Sequence, residues 1–331
     1  MTRKFVAAVV VAWALCTLSA SPLAAQAPAA AAAQQAKLVE CNRLWKQAQQ
    51  LRGASKTADA ISAGEKMLAI EREIDSRPHD DLAFMLDWLG QRELERESFS
   101  QGEKRLQEAL DVRTVVLGSG HWKVTDARLQ VERARLLAKL TPQDRQDLRD
   151  AEQANQKLLR LYHEGQYQAA IELAKKCRVT RLHLLGDAHP SYATSLNNLA
   201  FLYKILGDYA RAEPLYRQAM DICKKALGEA HPSYATSLNN LAGLYKILGD
   251  YARAEPLYRQ AAEILKKALG EAHPNYAGSL NNLAGLYQSM GDYARAEPLY
   301  RQAAAVTLEG LQQSFLGESQ RQQLAHAASV R

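Results

Sequence analysis

One 42-residue unit, written out three times without a slip in register, constrains this chain more than any other feature. The copies begin His189-Pro190-Ser191-Tyr192-Ala193, His231-Pro232-Ser233-Tyr234-Ala235 and His273-Pro274-Asn275-Tyr276-Ala277. A fixed period of this size describes a stacked array in which each unit buries its apolar face only on its neighbours, so no single globular core has to be sought. Within a unit, Leu196, Leu199, Ala200 and Tyr203, then Ala212, Leu215, Tyr216 and Ala219 beyond a Gly207-Asp208 break, fall at helical spacing. Each unit is therefore expected to be two amphipathic helices joined by a tight turn.

Leu196-x2-Leu199-Ala200-x2-Tyr203 followed by Ala212-x3-Tyr216 resembles the tetratricopeptide pattern W-x2-L-G-x2-Y…A-x3-F at the same offsets. The second copy matches at Leu238, Leu241, Ala242, Tyr245, Ala254 and Tyr258, the third at Leu280, Leu283, Ala284, Tyr287, Ala296 and Tyr300. The usual period of that family is about 34 residues. Here the second helix runs on past Ala219 through Lys224, Lys225 and Leu227 to Gly228, a residue suited to a helix C-terminus. Units of this length, with His-Pro opening and Leu-Asn-Asn-Leu-Ala inside, resemble the kinesin light chain type of tetratricopeptide repeat. The resemblance implies an all-α, right-handed solenoid of stacked helix-turn-helix repeats and a peptide-binding mode.

A net charge of +6 would suggest nucleic acid if the basic residues were clustered. Instead Arg211, Arg217, Lys224 and Lys225 are answered by Asp208, Glu213, Asp221 and Glu229, which is a mixed solvated surface and argues against nucleic acid. Residues 1–27 read as a secretory signal. Arg3 and Lys4 open it, Phe5 to Leu18 is apolar but short for a membrane span, and Ala25-Gln26-Ala27 offers a small-residue cleavage site. An uncleaved anchor is the alternative. Export to the periplasm or medium is the expectation, with no stable membrane span after cleavage. Cleavage leaves Cys41, Cys177 and Cys223, too few and too widely spaced for a disulfide framework or a CxxC site. Cys177 aligns with Ala219 and Cys223 with Leu265, so both are read as small buried hydrophobes.

Taken in order, residues 28–36 are an Ala/Gln-rich spacer with no fixed structure assigned, and 37–140 hold degenerate copies of the repeat. Leu44, Ala48, Leu51 and Ala60 fit a first unit, and Leu86, Leu89, Gly90, Gly102 and Leu106 a second, with Glu93 where Tyr203 stands. His121 to Leu140 reads as a first helix without its partner. Residues 141–188 are read as an inserted helix start, with Thr141 as N-cap and Pro142 at the first position of a helix running to His163, and a third unit at about 147–188 that an inserted helix precedes. The three near-identical units fill 189–313. Residues 314–331 are a capping segment or a truncated linker. Phe315 to Leu324 resembles the segment that in many bacterial proteins joins such repeats to a caspase-like CHAT peptidase domain.

Little in the chain points to chemistry. His189, His231 and His273 recur once per unit, but stacked helices lie about 8 to 10 Å apart and zinc holds each ligand at about 2 Å. The histidines are read as helix N-caps, and no metal or cofactor is expected. Cys177 with His183 and Cys223 with His231 are the local thiol–imidazole pairs, and nearness along a helix is not a nucleophile–base geometry. No Gly-rich phosphate loop, H-E-x-x-H or G-x-S-x-G occurs, so the chain is read as non-catalytic. Pro214, Pro256 and Pro298 sit about six residues into second helices, where a proline is expected to cost up to about 3 kcal/mol and to loosen or kink the helix.

In the resembled family the first helices line a concave groove. The corresponding positions are Thr194, Asn197, Asn198, Phe201 and Lys204, then Thr236, Asn239, Asn240, Gly243 and Lys246, then Asn281, Asn282, Gly285 and Gln288, with Asn155 one unit earlier. A row of side-chain amides suits an extended peptide, because each can both donate to and accept from a backbone amide. Gly243 and Gly285 are expected to leave room that Phe201 fills, and Lys204 with Lys246 to favour an acidic segment or a free carboxylate. The alternative is that the asparagines bond only within and between helices. The copies at His189 and His231 differ only at Phe201/Gly243, Met220/Ala262, Asp221/Glu263 and Cys223/Leu265, so their likeness also records recent duplication. The expected function is a non-catalytic scaffold that binds a peptide or protein. A regulatory part of a CHAT peptidase system and a purely structural envelope scaffold are the alternatives.

Overall fold

A computed structural model describes residues 23–75 and 77–310, with side chains from residue 32 onward. The expected leader at 1–27 falls mostly outside the described residues, and the capping or linker segment at 314–331 falls wholly outside them. The described residues form helices and connecting turns, without a strand. The chain divides into an N-terminal body, residues 1–116, and a C-terminal body, residues 117–331.

The N-terminal body contains α1 (Leu23–Gly53), α2 (Thr57–Ile74), α3 (Asp80–Glu95) and most of α4 (Phe99–Leu117). Residues 28–36, to which the sequence assigns no fixed structure, are part of α1. Their alanines have the highest helix propensity of any residue, so a neighbouring helix extends into them at little cost. Leu44, Ala48, Ala60, Leu86 and Leu89 are buried in one core with Met67, Leu68 and Trp88. The degenerate signature thus still marks the packing face. Gly90 and Gly102 let α3 and α4 cross closely: a Cβ on Gly90 would lie 2.7 Å from Leu106 Cγ and 3.1 Å from the Gly102 carbonyl oxygen.

The C-terminal body contains α5 (Trp122–Lys139), α6 (Pro142–His163), α7 (Tyr167–Leu185), α8 (Pro190–Ile205), α9 (Tyr209–Leu227), α10 (Pro232–Ile247), α11 (Tyr251–Leu269) and α12 (Pro274–Ser289). A further helix, α13, occupies 293–310. From α6 onward each helix packs on the next, and the helices pair as the period requires. The first helices start where an imidazole Nδ1 accepts a backbone N–H: His189 from Ser191 at 3.0 Å, His231 from Ser233 at 3.0 Å and His273 from Asn275 at 3.1 Å. Proline follows each at the first helical position, where its missing N–H costs nothing. Gly207 (φ 75°) and Gly228 (φ 89°) end α8 and α9 in the left-handed region that a side chain disfavours.

The helices α9 and α11 run unbroken through Pro214 and Pro256. The carbonyls deprived of a donor belong to Ala210 and Ala252, both exposed residues, so the lost bond is not sealed away from solvent. The helix expected from Thr141 to His163 is present, as a single element. The helix α6 is one continuous first helix from Pro142 to His163, capped where Thr141 Oγ1 accepts from the Asp144 N–H at 3.1 Å. No glycine or further proline interrupts it, so no separate inserted helix precedes the unit.

The element outside the period is α5, which lies against units that come long after it in sequence. Trp122 Nε1 donates to the Ala268 carbonyl at 3.0 Å, and its ring meets His231 edge-on at 5.9 Å. Asp126 pairs with His231 Nε2 at 3.0 Å, and Arg133 pairs with Glu152 of α6. Eighteen residues at about 1.5 Å each give the helix the reach to touch α6, α9, the start of α10 and the end of α11. This is why His231 is 4% exposed, whereas His189 and His273 are only partly buried.

Candidate functional site

The first helices alternate buried and open positions with helical period. Tyr192, Ala193, Leu196, Leu199, Ala200 and Tyr203 are buried, and Thr194, Asn197, Asn198, Phe201 and Lys204 lie between them, exposed or half-buried. The same holds at 236–246 and 278–288. The burial pattern therefore puts the expected groove residues on one outward face.

Several of those side chains are already occupied by the protein. Thr194 and Thr236 donate to the Pro190 and Pro232 carbonyls four residues back, at 3.3 and 3.2 Å. Asn198 Nδ2 donates to Asn155 Oδ1 across the unit boundary at 2.8 Å, and Asn197 Nδ2 to Ser237 Oγ of the following unit at 3.4 Å. The carbonyl oxygens of Asn197 and Asn239 are enclosed, with no donor on them among the described residues. Asn240 is half-buried, while Asn281 and Asn282 are exposed. The amide row is thus partly a set of inter-unit bonds, and its open members lie toward the C-terminal end.

The structure differs from the sequence expectation at the two glycines. A Cβ on Gly243 would meet Tyr258 Oη at 3.3 Å, and one on Gly285 would meet Lys246 Nζ at 3.0 Å and Tyr300 Oη at 3.4 Å. The space that Phe201 fills in its own unit is therefore taken up by tyrosine hydroxyls and by Lys246. Gln288 Oε1 accepts from Tyr300 Oη at 2.8 Å. The sequence reading missed Tyr162, whose ring packs on Phe201 at 5.3 Å between centroids. It also missed that the Tyr258 and Tyr300 hydroxyls lie beside Gly243 and Gly285, although the A-x3-Y spacing names both tyrosines.

Lys204 has the most distinctive electrostatics on this face. Its ammonium lies 5.1 Å from the Phe201 ring centroid, and burial pulls its pKa below the ordinary lysine value. Among the described residues it has no carboxylate partner. Elsewhere charges are matched: Arg211 with Asp208, Arg217 with Glu213, Arg259 with Glu255. Between units, Glu213 Oε1 accepts from Tyr245 Oη, and Glu255 Oε1 from Tyr287 Oη, each at 2.9 Å. Arg253 and Arg295 lie over those tyrosine rings at 4.1 and 4.2 Å and reach the same glutamates. This latch ties neighbouring units below the open face, and its energy comes from partly desolvated cation–π and charged hydrogen bonds.

The side chains of Glu71, His79 and Asp81 offer ligand atoms within 4.8 Å of one another. They do not fit a cation well. His79 Nδ1 accepts from the Leu82 N–H at 3.2 Å to cap α3, so the neutral ring carries its proton on Nε2 and has no lone pair there for a metal. Cys177 and Cys223 are buried, and burial raises both thiols, the opposite of an activated nucleophile. No described helix is long and apolar enough to cross a membrane.

No curated protein matches the chain significantly. Solved structures similar to part of it include a protein from Podospora anserina described as a kinesin light chain with nearly identical TPR-like repeats. It is 24% identical, with 70% of this chain and 98% of that one covered and a TM-score of 0.39. BtubC (BKLC) from P. vanneervenii is 19% identical over 84% of this chain and 92% of its own, with a TM-score of 0.40. The MamA protein is 13% identical over 70% and 94%, with a TM-score of 0.33. The tetratricopeptide repeat model matches residues 159–225, 193–267 and 233–309. Over residues 159–309 this chain is therefore similar to the tetratricopeptide-repeat family.

Proposed function

We propose that this protein is an exported, non-catalytic scaffold whose first helices bind an extended polypeptide carrying carboxylates. The observation that carries this reading is Lys204, a half-buried ammonium on the open face with no carboxylate opposite it among the described residues. A desolvated cation interacts more strongly with an incoming anion than a solvated one, because the medium between them screens less. Lys246, Asn240, Asn281 and Asn282 extend the same face toward the C-terminal end and supply backbone-matching amides. Export rests on the charged start, apolar run and small-residue site of residues 1–27. Intact mass of the secreted or periplasmic protein tests export, and retention of Met1 overturns cleavage.

The binding test uses a fluorescent eight-residue peptide of mixed Asp, Glu and Gly, titrated into the full chain at two salt concentrations. Lys204→Ala with Lys246→Ala is expected to weaken binding at least about tenfold and to flatten its salt dependence. Asn239→Ala with Asn281→Ala is expected to cost about 0.5 to 1.5 kcal/mol per lost bond with thermal stability nearly unchanged. Unchanged binding in both variants, with earlier melting, makes the face structural and the protein a purely architectural scaffold. The CHAT-linked alternative rests on the resemblance of Phe315 to Leu324, and sequencing the gene and its neighbours for a caspase-like domain tests it.

A further inference from the structure

The two edges of the near-identical array are built differently, although one period writes both. At one edge, Gly228-Glu229-Ala230 and Gly270-Glu271-Ala272 join a second helix to the next first helix, and Glu229 and Glu271 pair with Lys224 and Lys266 at 2.8 Å. That edge is polar and solvated. At the other edge, where each first helix turns into its second, Ile205, Leu206, Ile247, Leu248, Met290 and Tyr293 are between 39% and 68% exposed. They sit at the turns that follow the neighbouring helices α8, α10 and α12, so they form an apolar row with one rung per unit.

The fold does not require this row. The turn from α6 to α7 has the same backbone, with Gly165 at φ 71° against 75°, 73° and 78° for Gly207, Gly249 and Gly291. Yet it carries His163 and Glu164, both exposed, where the next two units have Ile205-Leu206 and Ile247-Leu248. Large apolar residues exposed at the same place in three units, beside a turn that does without them, mark an interaction surface. Each rung also carries one acid and one base: Asp208 with Arg211, Asp250 with Arg253 and Asp292 with Arg295. Balanced charge gives no net pull towards an anionic lipid surface. It is self-complementary when the row meets itself reversed, because arginines then face aspartates. A second copy also matches the spacing of the rungs, since the same repeat sets it.

We propose that this edge is a self-association surface, on which a second copy of the chain docks antiparallel about a twofold axis. The axis passes beside Ile247 and Leu248 of the middle unit, so these residues meet their own counterparts. Ile205 and Leu206 then meet Met290 and Tyr293 of the other copy, and the reverse.

Sedimentation of the full chain tests the association. The mass should rise with protein concentration towards twice that of one chain, and Leu206→Glu with Leu248→Glu should hold it at one chain throughout. Glutamate already occupies the equivalent position, Glu164, in the preceding turn, so the variant keeps the fold, which an unchanged melting temperature verifies. Leu248→Cys alone should form a disulfide-linked dimer at least about tenfold faster than Leu206→Cys alone, because only the middle rung faces itself. The cysteines at 41, 177 and 223 are buried and do not compete. A parent that stays monomeric, a dimer that the glutamates leave intact, or equal crosslinking at both positions overturns the proposal. So does a monomeric parent that co-sediments with phosphatidylglycerol vesicles through Leu206 and Leu248, because lipid would then cover the row.

Discussion

The pair α3/α4 and the pair α8/α9 close the gap between their helices differently. In α3/α4 the signature positions are Gly90 and Gly102, and each glycine's missing Cβ would stand 3.1 Å from the other's carbonyl oxygen. Leu94 and Leu106 then fill the space over them, each 2.7 Å from where a Cβ would be. In α8/α9 the same positions are Ala200 and Ala212, both fully buried. An alanine interface tolerates small changes at either partner, whereas a glycine crossing depends on the absence of an atom. The α3/α4 pair therefore rests on a different and less forgiving packing solution than α8/α9.

The sharpest way to break that comparison is Gly90→Ala. Helix propensity alone would make it stabilising by about 1 kcal/mol, but the close approach makes it overpacking, with an expected loss of about 2 to 3 kcal/mol. The urea midpoint of the N-terminal body reads the sign directly. The reciprocal Ala200→Gly should cost about 1 kcal/mol, mostly from backbone entropy. If both substitutions cost the same, the two interfaces are not different in kind.

A second test concerns how far the near-identical units are held together by something outside the repeat. Trp122→Ala removes the bond to Ala268 and the edge contact on His231, and should lower the local opening free energy there by about 1 to 2 kcal/mol. Exchange should speed up at 232–236 and 266–269, beside the lost contacts, and not at 274–278, beyond the turn that follows Ala268. Uniform loss across the whole body would mean that α5 supports global folding and not particular units. Without the substitution, 189–310 should exchange more slowly than 37–116, since near-consensus units bury repeated complementary faces.

The smallest expected effect is on pH. His189 is held below its ordinary value of 6.5, first by burial, then by Arg133 of α5, with Arg181 adding to the effect and Glu152 opposing it. Above pH 6.5 the ring is neutral in folded and unfolded chains alike and contributes nothing to the difference. As pH falls through 6.5 the unfolded chain takes up a proton that the folded one resists, so stability declines below that value. An NMR titration should find His189 low, and Arg133→Ala should move it up. A shift insensitive to Arg133 would place α5 farther from the His189 turn than the structure does.

Legibility followed the period. The repeat spacing carried the all-α fold, and His189, His231 and His273 were recognisable as caps because proline follows each one. The buried face was recognisable for the same reason, since a 3.6-residue period assigns Leu196, Leu199 and Tyr203 to one side whatever they pack on. The outward face was readable as a row of positions on one side of each first helix. Its occupancy was not, because whether Asn198 bonds Asn155 or Lys246 lies over Gly285 depends on side chains one unit away.

By itself, then, the sequence determined the helices, their pairing and which stripe of each is apolar, all of which are local or nearest-neighbour properties that a regular period repeats. Only the tertiary structure decided where α5 goes. Trp122 follows His121 where the near-identical units have proline, and that departure marks the place, but nothing local says that this residue reaches Ala268, 146 positions later. Long-range packing of that kind is set by the combined surface of several units, and no period within one unit encodes it.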